Sequence, residues 1–145
     1  MTWINLDRDA ALYAQQMVKD EGIEKKDVLE RLVTKALGVL QEQGVYALIL
    51  FLHSRSNKEE KKAAKAILNG LYRLLKDENR SLPPFANKDV PRNDAGTNDT
   101  LEFYANHVAN DLSTLLLVRD VYEQCLTYAR YHAKAVKSNE TARAT

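Results

Sequence analysis

The sequence predicts an all-α fold, a single-domain bundle of five to six helices around a central buried helix. Three observations carry this. Glycine (5) and proline (3) are scarce in a chain of 145 residues, whereas architectures with many β-turns need more of both. Apolar residues recur at spacings of three and four along nearly every segment, the period of one helix face. No segment alternates with period two. The length suits one domain, and a hydrophobic content of 45% is ample for one core.

The first helix is expected from after Asn5 to Glu21, with Asp7 and Asp9 at its positive end. Its apolar stripe is Ala10, Tyr13, Ala14, Met17 and Val18, and Gly22 stops it. A second helix, Lys26 to Gln43, carries Leu29, Leu32, Val33, Ala36, Leu37 and Leu40. Gly44 either terminates it or admits a closely packed neighbour. The run from Val45 to Leu52 is apolar enough for a buried strand. It has no partner strand, however, so a helix covered on nearly every side is the expectation.

A fourth helix opens after Ser56 or Asn57, with Glu59 and Glu60 in its first turn. Its stripe is Ala64, Ile67, Leu68, Leu71, Tyr72 and Leu75. All three prolines then fall between Asp77 and Asp99, among Asn, Asp and Gly, which predicts a long surface loop. Asp99 and Glu102 have the spacing of a capping box and open a fifth helix with Leu101, Tyr104 and Val108. The last helix spans about Leu112 to Lys137, and the tail from Ser138 to Thr145 is expected to fray.

Several chemistries find no support. Cys125 is the single cysteine, so neither an internal disulfide nor a multi-thiolate zinc site is available. Its place beside the last helix's stripe suits packing better than nucleophilic chemistry. The histidines are scattered. His107 and Asp111, four apart, offer only two ligands, which makes a solvated or capping role the better expectation. There is no phosphate-binding Gly-x-x-x-x-Gly-Lys loop, no paired Glu-x-x-His motif, no secretory signal and no apolar run of membrane-spanning length. The expectation is a non-catalytic, cytoplasmic protein without cofactor, metal or membrane partner.

The net charge of +1 conceals segregation along the chain. Residues 1–54 carry net −2, residues 55–76 net +5, residues 77–112 net −4 and residues 113–145 net +2. Within the basic segment, Lys58, Lys61, Lys62 and Lys65 stand at i, i+3, i+4 and i+7, which puts four ammonium groups on one helix face. Arg55 lies just upstream, and Arg130, Lys134 and Lys137 repeat the spacing i, i+4, i+7 on the last helix. Such stripes are either solvated faces or tracks for phosphates, and the second group also suits a helix C-terminus. Neither has interleaved aromatics for stacking single-stranded bases, so a duplex backbone fits better.

The segments RDAALYAQQMVKD, LVTKALGVLQEQGVYALILFLHSRS and LLLVRDVYEQCLTYARYHAKAV stand in this order along the chain. Together they resemble the first helix, the signature region and the closing helix of the small all-helical subunit of type III-B CRISPR RNA-guided effector complexes. Lys35 falls on the family lysine of a Lys-x-Leu-Pro motif whose proline is missing here. Gly44 and Val45 fall on a Gly-Leu pair, with Gln43 in place of Asn, while Tyr122, Leu126, Tyr128 and Lys134 fit the last helix. The missing proline and the acidic 77–112 segment also admit a relative from another type III complex.

The resemblance implies a structural subunit that stacks in several copies beside the other subunits of the complex. It would contact the guide RNA–target RNA duplex through Lys35, Arg55, Lys58, Lys61, Lys62, Lys65, Arg130, Lys134 and Lys137. The alternative from a different class is a self-associating helical adaptor or regulator that binds only proteins.

Overall fold

Every apolar stripe in the sequence forms a helix. A computed structural model describes residues 6–19, 26–77, 80–91 and 96–144, with the side chains of Lys26, Arg80 and residues 137–144 outside the description. Among the described residues six α-helices follow in order: α1 (Leu6–Lys19), α2 (Lys26–Gln43), α3 (Val45–His53), α4 (Lys58–Leu75), α5 (Thr97–His107) and α6 (Leu112–Ala144). The expected stops at Glu21 and Gly22 lie outside the described residues. No described helix is long and apolar enough to cross a membrane.

One continuous core joins the helices. The stripes of α1 and α2 are wholly buried and pack along α6. Asp7 at the start of α1 meets Gln124 and Tyr128 of α6, and Lys19 at its end acts electrostatically on His132. The two helices therefore run in the same direction. Helix α4 runs the opposite way to α1: Met17 packs on Gly70, whereas the earlier Tyr13 reaches the later Asp77, its hydroxyl donating to the carboxylate at 2.6 Å. Arg73 completes this contact, 3.3 Å from Asp77 and donating to Gln16 at 2.8 Å.

Gly44 is a terminator. Its φ of 98° lies in the left-handed region, and a Cβ there would meet nothing within 4 Å, so conformation rather than close packing requires glycine. This one residue turns α2 into α3. The Val45–Leu52 run is helical, as its isolation implied, but it is not covered all round. Val45, Leu48, Ile49 and Leu52 are buried, while Tyr46 and Leu50 remain 40% and 47% exposed. The nine-residue helix packs on α2, α4, α5 and α6 with its buried positions and leaves the face of Tyr46 and Leu50 open. The most enclosed stretch is instead the second half of α4, where Ile67, Leu71, Leu74 and Leu75 are each fully buried.

The expected long loop is partly built. Lys76–Asp77 (β1) and Arg80–Ser81 (β2) pair antiparallel, and Pro83–Phe85 forms a 3₁₀ turn. Leu82 and Phe85 are buried in the core, which anchors the segment. Lys76 fastens it further by donating to the Lys88 carbonyl at 2.9 Å. Helix α5 begins earlier than the capping-box reading places it. Gly96 is its N-cap, and the buried Thr100 hydroxyl, rather than a cap from Asp99, donates to the Gly96 carbonyl at 3.0 Å. The backbone of α6 stays helical to Ala144, past the expected end at Lys137, because residues 138–144 contain neither glycine nor proline to stop it.

Candidate nucleic-acid interface

Helix α4 begins with a side-chain cap, and its first turn is largely exposed. Asn57 accepts from the amides of Glu59 (2.9 Å) and Glu60 (3.5 Å), fixing the start of the helix independently of any tertiary contact. Arg55 sets the approach to that cap. Its guanidinium lies 4.0 Å over the Phe51 ring, donates to the Phe51 carbonyl at 3.1 Å and to Ser54 at 3.0 Å, and stands 3.8 Å from the Glu60 carboxylate. Arg55 is thus a brace for the α3–α4 turn, with most of its donors committed.

Beyond the cap, Lys58, Lys61, Lys62 and Lys65 are all exposed and, with Ser56, line one open groove of about 320 Å³. None of the four has an ion-pair partner among the described residues. The arrangement works against the helix. Three of these cations sit in or next to the first turn, where the macrodipole is positive, and like charges three and four residues apart repel. Opposite them the same turns bury Ala63 and Ala64, small residues that seat the helix without requiring lysine on the outer face.

The remaining candidates are dispersed. Lys35 is exposed on α2 and Lys134 on α6, and neither lines the groove. Arg130 is half-buried, and its Nε, like Nε2 of His132, is buried without a hydrogen-bond partner among the described residues. The Lys137 side chain lies outside the described residues. The directions of α1, α4 and α6 nevertheless bring the lysine half of α4 and the basic end of α6 toward the same end of the bundle, since both extend past the end of α1.

Several other titratable residues have structural partners. Asp111 caps α6, accepting from the Thr114 amide at 3.2 Å and the Thr114 hydroxyl at 2.6 Å, bonds that hold its carboxyl below the usual range. His107 packs its ring, tilted by 46°, against Phe103 with centroids 5.4 Å apart. His53 bridges helices: its Nε2 lies 3.3 Å from the Tyr72 hydroxyl and its Nδ1 3.2 Å from the Thr97 hydroxyl, and burial lowers its pKa. Tyr104 and Tyr122 share a buried hydrogen bond of 2.6 Å, and burial raises both phenols well above their ordinary value. Tyr72 beside them is pushed up to about 12 by the same cause. Cys125 is buried, which drives its thiol up and keeps it unreactive. Among the described residues no group of three or more His, Cys, Asp or Glu is placed to hold a metal ion.

Sequence spacing identified the four groove lysines but missed Gly70, on which Met17 rests. A Cβ at Gly70 would fall 2.4 Å from Met17 Cε and 2.8 Å from its Cγ. A glycine inside a helical stripe was the available signal. No protein-family model, curated protein or solved structure matches this chain.

Proposed function

We propose that this chain is a non-catalytic RNA-contacting subunit, the small subunit of a type III CRISPR ribonucleoprotein, that holds the guide–target duplex by its backbone. The observation supporting contact with a polyanion is the α4 groove, where Lys58, Lys61, Lys62 and Lys65 converge without neutralising partners among the described residues. Lysines act there as point charges on phosphates and carry no base specificity. The groove's lining contains no aromatic side chain, which disfavours stacking of single-stranded bases. The identity of the complex rests on the three resembling segments. A subunit repeated in several copies needs only weak contacts per copy, because avidity multiplies them.

A protein-only adaptor that self-associates is favoured by a different observation. Tyr46 and Leu50 on α3, and Leu112 and Leu116 on α6, are spaced four apart and 40–70% exposed.

Purification of the tagged chain from its native cell, with analysis of bound protein and RNA together, separates the two. Large partner subunits with short guide RNAs are expected, whereas a homo-oligomer free of RNA contradicts the RNA reading and favours the adaptor.

A further inference from the structure

Lys58, Lys61, Lys62 and Lys65 line one open groove on the first turns of α4. Lys58 to Lys65 spans about 10 Å of helix axis at ~1.5 Å per residue, with one or two ammonium groups on each successive turn. Their aliphatic stems wall a volume of about 320 Å³, at the lower end of the ~300–1,000 Å³ typical of small-molecule sites. In the same turn the Glu60 carboxylate stands 3.8 Å from Arg55. The positive end of an 18-residue helix adds its field to the same place. Ser56 also lines the groove.

A nucleic-acid backbone delivers one charge per nucleotide, with a sugar between successive charges. An open groove that gathers four cations within two turns also suits a ligand that carries several charges in immediate succession. We infer that the α4 groove is a binding site for a compact polyphosphate, a chain of three or more linked phosphoryl groups. The chain can belong to free polyphosphate or a nucleoside triphosphate, or to the 5′-triphosphate end of an RNA. The groove lacks an aromatic wall, so recognition stops at the phosphoryl chain and ignores the base. This inference goes beyond duplex-backbone contact and does not depend on it.

Calorimetric titration of the full chain with sodium tripolyphosphate, at fixed ionic strength, tests the site. Saturable one-to-one binding is expected. It should weaken about tenfold or more in Lys61→Gln/Lys62→Gln and change less than about twofold in Lys35→Gln/Lys134→Gln, which removes the same charge elsewhere. Orthophosphate at equal total charge should compete poorly. Absence of saturable binding, equal losses in both double variants, or equal competition by orthophosphate overturns the inference.

Paired RNAs of one sequence, bearing a 5′-triphosphate or a 5′-hydroxyl, distinguish the sources. A preference for the triphosphate end places the ligand on RNA, and equal affinity assigns the site to the free polyanion. Tripolyphosphate binding without duplex binding keeps this site and removes the duplex reading. Duplex binding that tripolyphosphate does not displace does the reverse.

Discussion

The two halves of α4 share one helix and have opposite relations to the rest of the protein. From Ile67 to Leu75 the helix is enclosed by α1, α2 and α6, with Gly70 thinned to admit Met17. From Lys58 to Lys65 it buries only Ala63 and Ala64 and turns four lysines to solvent. The first half carries charge that the helix dipole opposes, and the second half supplies the packing that tolerates it. Charge in the exposed half can therefore be changed with little consequence for folding, whereas small volume changes in the enclosed half are felt throughout.

The largest break in this contrast comes from the enclosed half. Leu71→Ala, at a fully buried position, should lower unfolding free energy by about 2–5 kcal/mol, read from denaturant midpoints. Next, Tyr122→Phe leaves the buried Tyr104 hydroxyl without the partner it holds at 2.6 Å. A loss of about 1–3 kcal/mol is expected by thermal or chemical melting. Asn57→Ala removes the cap at the boundary of the exposed half and should cost about 1 kcal/mol without altering the rest of the fold. If it costs as much as Leu71→Ala, the two halves are not separable.

Acid probes the packed part of the molecule, because its half-buried histidines resist charging. His53 and His132 both have folded-state pKa values below 6.5, chiefly through burial. The unfolded chain then binds more protons than the folded one below that pH. Stability is expected to be full above about pH 6.5 and to decline as pH falls through the histidine range. Denaturant midpoints between neutral and mildly acid pH check the sign, and a midpoint that rises on acidification contradicts it.

The apolar stripes were legible because helix periodicity needs only the residues of one element. All the stripe positions of α2 and of the first helix are buried, as their spacing of three and four requires. What escaped the sequence depended on partners. One face of α3 leaves Tyr46 and Leu50 exposed, and in so apolar a run no local pattern marks which face stays uncovered. The built part of the Asp77–Asp99 segment hangs on Leu82 and Phe85, isolated apolar residues whose burial is a long-range fact. Of the site residues, the four lysines of one helix converge because one backbone fixes them all. Lys35, Arg55 and Arg130 come from elements whose relative placement spacing does not encode, and Arg55 is bound up with Phe51 and Glu60 instead.

The salt dependence of RNA-duplex binding tests the central claim most directly. Each phosphate contact contributes about −0.9 to the slope of log affinity against log salt. Replacing Lys58, Lys61, Lys62 and Lys65 together by Gln should weaken binding and flatten that slope by roughly three to four, with the denaturant midpoint nearly unchanged. An unchanged slope in a folded variant would show that the α4 groove does not hold the RNA backbone.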